Sequence, residues 1–336
     1  NFTYNVSQDC SCPLNGSWPF YTGIVKHGDD MKRARLIYNP TSGREQIRRN
    51  IPYILDRLEQ AGYETSCHAT KGPGDATAAA RAAVERRFDL VVAAGGDGTL
   101  NEVVNGLGGM PERPKLGIIP MGTTNDFARA IGMTKDIKKA CDVLAAGHTI
   151  PLDIGKVNDH YFIYISGGGK LTEISYEVPS RLKTMLGQLA YYLKGIEKLP
   201  SIRPTHVKIE YDGKLFEGEI MLFFVANSNS VAGFERLAPE ASLSDGMFDL
   251  LILKKTNLAE FIRLARLALK GEHIHDDKVV YAKASHIKVE ADESMQLNLD
   301  GEFGGHFPAT FENLHHHIDL VVPERTAEKY RDSTNY

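Results

Sequence analysis

Phe88-Asp89-Leu90-Val91-Val92-Ala93-Ala94-Gly95-Gly96-Asp97-Gly98-Thr99-Leu100-Asn101-Glu102 is the stretch on which the fold turns. After Phe88-Asp89, the run Leu90 to Ala94 is apolar without alternation, the pattern of a strand buried on both faces of a parallel sheet. The second half of the stretch sets three glycines around one aspartate, and a helix is expected to start near Leu100. A strand that runs straight into a glycine loop and a helix gathers backbone N–H groups and the positive helix end at one point, which suits an anion. Thr99 adds a hydroxyl. Taken alone, Gly-Asp-Gly reads equally well as a plain turn with a helix cap. It is neither the dinucleotide G-x-G-x-x-G nor a Walker A loop, because no Gly-Lys-Ser/Thr follows.

The neighbours on both sides repeat the plan. Arg35 to Tyr38 reads as a strand that ends in the turn formers Asn39-Pro40-Thr41-Ser42-Gly43. Residues 46 to 62 carry Ile47, Ile51, Ile54, Leu55 and Leu58 at helical spacing. Tyr63 to His68 is a second strand, Gly74 to Arg87 an alanine-rich helix, and Leu116 to Pro120 a buried strand ending in Met121-Gly122-Thr123-Thr124-Asn125-Asp126-Phe127. Strand-helix alternation of this kind predicts an α/β, Rossmann-like three-layer domain with a parallel sheet over residues 31–150. Ligands of such sheets bind at the carboxyl ends of the strands. Three small-residue loops on one edge of the sheet predict a phosphate site.

Beyond residue 150 the pattern changes to strands separated by turns. Leu152 to Val157, Tyr161 to Ile165, His206 to Tyr211, Lys214 to Ala226, Phe248 to Leu253, Ala284 to Glu290 and Gln296 to Leu299 are expected strands, with a hairpin signal at Asp212-Gly213. Helices are expected at about 177–197 and 257–271. Residues 151–325 therefore read as a β-rich domain, an antiparallel β-sandwich, whose last apolar run, Ile318 to Val322, is a candidate to return to the first domain. Residues 1–30 read as an unstructured or non-native leader. They hold Cys10, Cys12, Trp18 and sequons at Asn1, Asn5 and Asn15 but no apolar signal segment.

Composition sets the outer limits. The 336 residues are 42% hydrophobic and 24% charged, and the formal net charge is -4. That acidity argues against binding driven by nucleic-acid phosphates. No apolar run approaches the ~20 residues of a membrane-spanning helix. Cys10, Cys12, Cys67 and Cys141 form neither a disulfide framework nor a metal finger, so a reducing, cytoplasmic setting is expected.

From about Lys32 to Glu324 the chain resembles the soluble bacterial diacylglycerol kinases, within the superfamily of diacylglycerol, sphingosine and ceramide kinases. The matching pieces are Tyr38 to Gly43, Gly95 to Glu102, Pro120 to Asp126, Leu243-Ser244-Asp245-Gly246 and Asn298-Leu299-Asp300-Gly301-Glu302. NAD kinases share Gly-Gly-Asp-Gly-Thr, but their second Gly-Ser/Thr-rich block is missing here. The resemblance implies ATP binding by Asn39, Pro40, Thr41, Ser42, Gly43, Thr70, Gly96, Asp97, Gly98, Thr99, Leu100, Asn101, Glu102 and Thr123, in a cleft between the domains. It also implies phosphorylation of diacylglycerol to phosphatidic acid, transient docking on an anionic membrane at its inner face, and a homodimer.

Phosphoryl transfer to an alcohol needs a carboxylate near the attacking hydroxyl and cations to spread the phosphate charge. Asp300-Gly301-Glu302 follows an alternating apolar strand, and two such close acids repel, which raises one pKa towards general-base use. As a bare sequence it is also an ordinary Asp-Gly turn. With the resemblance, Glu302 is the first choice as proton acceptor and Asp300 the second, as base or as holder of a metal-bound water. The resemblance places Mg2+ on Asp245 with carbonyls near Ser242 and Met247, although Ser244 and Met247 stand where relatives often carry an acid and an aromatic. Asp97 and supporting Asp126 would join the nucleotide to this network through water. Arg44, Arg48, Arg49 and Lys194 could attract phosphates or a negative membrane. His315-His316-His317 is expected to hold no ion, because neighbours on a strand point alternately.

Overall fold

Leu90–Gly95, buried at every position, is the third of four parallel strands that carry the first half of the molecule. The computed structural model describes residues 31–169, 204–228, 237–292 and 294–334. Strands β1 (Lys32–Tyr38), β2 (Tyr63–Ala69), β3 (Leu90–Gly95) and β4 (Lys115–Pro120) lie in the order 2-1-3-4. Between them run α1 (Gln46–Gln60), α2 (Asp75–Glu85) and α3 (Asp97–Leu107), followed by α4 (Asp126–Ala130) and α5 (Ile137–Ala146). The chain steps outward from β1 to β2, then back across β1 to β3. Right-handed crossovers therefore place α1 on one face and α2 and α3 on the other. In keeping with this, α1 packs on α5 and α2 on α3. The second pair sits close because small residues meet: a Cβ on Gly106 would stand 2.5 Å from Thr77 O. Where the connections from β1 and β3 part to opposite faces, a crevice opens at the strand ends.

The second half is antiparallel. It comprises β5 (Thr149–Val157), β6 (His160–Phe162), β7 (Ile165–Gly168), β8 (Thr205–Tyr211), β9 (Lys214–Ala226), β10 (Phe248–Lys254), α6 (Leu258–Ala268), β11 (Val279–Ala284), β12 (His286–Ala291), β13 (Gln296–Leu299), β14 (Glu302–His306), β15 (Ala309–Val321) and α7 (Glu324–Thr334). Strand order along the main path is β14-β13-β7-β9-β8-β12-β15-β4-β3-β1-β2, with β10 branching from β9 and β5 from β15. Phe162, Phe223, Phe248 and Phe311 fill this half's core with stacked and edge-on rings. Each buries area worth roughly 2–3 kcal/mol of transfer free energy. A capping box of Asn257 and Glu260 starts α6, whose Leu264 packs with Met221, Leu251 and Leu253. β15 spans both halves: it pairs antiparallel with β5 and β12, and parallel with β4 through Leu320 and Leu116.

The mixed architecture is the one predicted, parallel strands first and antiparallel strands after. Four local expectations change. Tyr161 to Ile165 is broken between β6 and β7, because the N–H groups of Ile163, Tyr164 and Ile165 all turn to the Asp300 carboxylate. The strand expected over Ala284 to Glu290 is two strands parted at Ser285, where Asp212 takes the N–H groups of Ser285 and His286. β15 begins at Ala309 rather than Ile318, its earlier part hidden by exposed and bulged polar residues. α3 begins at Asp97, not near Leu100. The helix expected over 177–197, with Lys194, lies outside the described residues.

Candidate active site

The three loops that end β1, β3 and β4 touch one another. Sheet pairing continues one step past the strands, with Asn39 N donating to Ala94 O (3.0 Å) and Met121 N to Gly95 O (2.8 Å). Thr70, just beyond β2, joins the row by donating its N–H to Tyr38 O (2.9 Å). A Cβ on Gly122 would stand 2.7 Å from Gly96 Cα, so the second and third loops meet backbone to backbone. Gly43 has φ +60°, and a Cβ there would lie 2.6 Å from the Met121 terminal methyl. Both positions demand glycine. Around Pro40, Asn39 Oδ1 accepts from Thr41 N (3.0 Å) and the Thr41 hydroxyl (2.8 Å), while Ser42 N donates to Asn39 O (3.1 Å).

The early start of α3 places Asp97, Gly98 and Thr99 in its first turn, where N–H groups lack intrahelical partners and the dipole is positive. Gly98 is exposed, whereas Thr99 is buried and Leu100 belongs to the hydrophobic core of the first half. The side chains of Thr99 and Leu100 are therefore turned away from solvent. Thr123 is exposed, its carbonyl accepting from Lys135 Nζ (2.7 Å). Asn125 takes φ +52° and donates its amide to Gly95 O (3.2 Å).

Four carboxylates gather beside this turn. Asp97 is pushed up to about 6, first by burial and then by the charges of Asp126 and Asp300, against N–H donation from Asn125 and Phe127, which lowers it. Asp126 is raised by burial and paired with Arg129. Asp300, at φ +49°, is buried and accepts from Ile163 N (2.8 Å), Tyr164 N (3.0 Å), Ile165 N (3.1 Å) and Asn101 Nδ2 (3.0 Å). Burial raises its pKa, and these donors pull it down. Tyr164 donates its hydroxyl to Asp300 O (2.9 Å). Burial, together with Asp300, Asp97, Asp126 and Glu302, holds that phenol far above its usual range.

Glu302 differs in being exposed, two residues past Asp300 at the start of β14. Its Oε1 lies 3.8 Å from where a Cβ on Gly98 would stand, so the acid leans over the first turn of α3. A cleft of about 320 Å³ opens beside it, lined by Arg81, Asn101, Glu102, His160 and the exposed Phe303. Glu102 itself is turned towards α2, accepting from Ala76 N (3.1 Å) through Oε2 and from the Thr77 hydroxyl (2.9 Å) through its carbonyl.

Ser242, Asp245 and Met247 sit on the turn before β10. Asp245 Oδ2 meets Lys283 Nζ at 2.7 Å, and Oδ1 accepts from Met247 N (3.1 Å). Nearby, Asp249 is buried, pushed up to about 6 by burial, and its Oδ2 has no hydrogen-bond partner among the described residues. Hard oxygens beside an unpartnered buried carboxylate oxygen suit Mg2+, provided Lys283 yields its place on Asp245.

Three contributors escaped the sequence. Tyr164 and the N–H groups of Ile163 to Ile165 serve Asp300 from a break that an apolar run conceals. Asn105 exchanges bonds with Tyr161, donating to its carbonyl (2.8 Å) and accepting from its N–H (2.9 Å). With Asn101 this makes an i, i+4 amide pair that fastens α3 to the second half, a spacing the sequence did display.

Residues 33–157 match the family described as diacylglycerol kinase catalytic domain, and residues 174–322 match a YegS C-terminal NAD kinase beta sandwich-like domain. The chain is 64% identical over 303 residues to the diacylglycerol kinase of Bacillus subtilis strain 168, covering 90% of this chain and 100% of that protein. It is 55% identical to that of Staphylococcus epidermidis, covering 87% and 93%. Among solved structures, a diacylglycerol kinase of Bacillus anthracis str. Sterne superposes with a TM-score of 0.75 at 30% identity, covering 89% of this chain and 99% of that one. Among the described residues no helix is long and apolar enough to cross a membrane.

Proposed function

The chain belongs to the diacylglycerol kinase family, and from that premise we propose that it moves the γ-phosphoryl group of ATP to the free hydroxyl of diacylglycerol, yielding phosphatidic acid and ADP. The observation that carries the reading is the lean of Glu302 over Gly98, which brings an exposed acid to the positive end of α3. Polyphosphate against the touching glycine loops puts its terminal phosphorus below that acid. The acceptor oxygen bonds to phosphorus as the bond to the bridging oxygen of ADP breaks, and the hydroxyl proton passes to Glu302. Asp300 has four donors on its two oxygens and so positions the turn rather than taking the proton. Asn39 to Gly43, Thr70, Gly96 to Glu102 and Thr123 form the nucleotide side, with Asp97 and Asp126 facing the cation that ATP brings.

Asp245 and the carbonyls of Ser242 and Met247 would hold a further Mg2+, which neutralises that turn. Exposed Arg48 and Arg49 favour transient docking on the anionic, cytoplasmic membrane face, and assembly as a homodimer completes the reading. The test is purified protein with labelled ATP against a lipid panel. Label in phosphatidic acid is expected. Label in phosphatidylglycerol or a sphingoid base instead moves the acceptor, and ATP binding without transfer to any lipid makes the protein a nucleotide sensor.

A further inference from the structure

β15 does not run straight past β5. Leu314 pairs with Ile154 and Ile318 with Leu152, so the three histidines between them form a bulge, with His316 at φ +48°. A bulge cancels the alternation expected of neighbouring side chains. His317 goes inward to Gly108 O (2.7 Å), but the rings of His315 and His316 lie on one side, 3.7 Å apart. Beneath them is Asp153, whose side chain is fully buried and whose carboxylate accepts from His316 N (2.7 Å) and Gly246 N (2.6 Å). Its backbone is anchored as well, to Leu243 O (2.8 Å) and by Asn227 Nδ2 (2.7 Å).

One ring nitrogen from each histidine and one Asp153 oxygen lie within 4.8 Å of one another, and His315 Nε2 is 4.0 Å from Asp153 Oδ1. His316 Nε2 is also 3.3 Å from Ser244 O. We propose that Asp153, His315 and His316 form a binding site for a transition-metal dication of the Zn2+ class. Two imidazoles and a carboxylate are the borderline donor set such ions prefer, and Mg2+ does not. The site is thus chemically separate from the all-oxygen donors around Asp245, although both grip one turn. An ion here ties the Ser244 to Gly246 turn to the bulge of β15, and the open side of the cluster, where both imidazoles are exposed, leaves room for water.

The test titrates the full chain with Co2+ and with Cu2+ in excess Mg2+, which occupies the oxygen sites. One ion per chain is expected, with nitrogen coupling from two imidazoles in the Cu2+ resonance spectrum and a higher Tm. His315→Ala and His316→Ala should each weaken binding at least about tenfold. His306→Ala, away from the cluster, should not. Because both altered residues are exposed, the variants should fold, and the melting curve without metal checks this. Unchanged stoichiometry and affinity in the double variant would overturn the site, as would a single-nitrogen spectrum or a wild-type dissociation constant above about 1 mM.

Discussion

On the parallel side of the cleft, β1, β3 and β4 end in loops that put backbone N–H groups forward and keep their acids half sunk. On the antiparallel side, β13 and β14 turn through Asp300 and Glu302 and put carboxylates forward. On the proposed reading the first side suits a ligand already negative, because donors fixed in the backbone cannot titrate or swing away. On the same reading the second suits a ligand that loses a proton, because one of its acids is exposed while the other is locked. The contrast is sharpest between Asp300 and Glu302 themselves: two positions apart, one has four hydrogen-bond donors and no exposure to speak of, the other leans over Gly98.

Breaking the contrast at Glu302 should have the largest effect. Glu302→Gln should lower kcat by about 10²- to 10⁴-fold while ATP affinity, measured by equilibrium dialysis, stays near wild type. Equal turnover would return the proton-acceptor role to another group. Next comes Asp300→Asn, whose amide offers only one acceptor oxygen to donors that now hold two. A loss of roughly 3 kcal/mol in unfolding free energy is expected, read from urea melts. An unchanged midpoint with vanished activity would instead make Asp300 the base. On the parallel side, Gly122→Ala forces the new methyl against Gly96 Cα. It should raise the KM for ATP with kcat less affected, at a cost of about 1–3 kcal/mol. A normal KM would detach that loop from the phosphates.

The smallest effect sharpens the buried side. Asp97 titrates at about 6 in the fold against a usual 3.8. The folded protein therefore binds the proton more tightly than the unfolded chain, and this stabilising contribution is fully present below pH 3.8 and lost as pH rises through about 6. Asp249 adds a parallel loss over the same window. Asp97→Asn should flatten part of the fall in Tm between those limits. An identical Tm profile would place Asp97 in contact with water.

The two sides also differ in how much of them could be read from residues alone. β3 and β4 are buried on both faces, so their runs of Val, Ile and Ala are unmistakable, and so are the glycine loops at their ends. Antiparallel strands bury one face and obey the accidents of their partners. β14 is Glu-Phe-Gly-Gly-His, an edge with little apolar content, and it went unseen. Tyr161 to Ile165 looked continuous because nothing in it reveals that a carboxylate far along the chain removes three N–H groups from the ladder. His315 and His316 looked opposed because a bulge is a property of pairing, not of composition. The residues alone do not separate Asp300 from Glu302, since their difference lies in hydrogen-bond donors contributed by the break between β6 and β7, by Ile165 and by Asn101 of α3.

β15 has a last consequence, for the order in which the protein comes into being. The far edge of β4 is closed by Leu320, which the ribosome adds after every other strand. Until then the nascent nucleotide half carries a bare, apolar strand border, the kind of surface that seeks the wrong neighbour. That half can seal only once this late-arriving strand has been made.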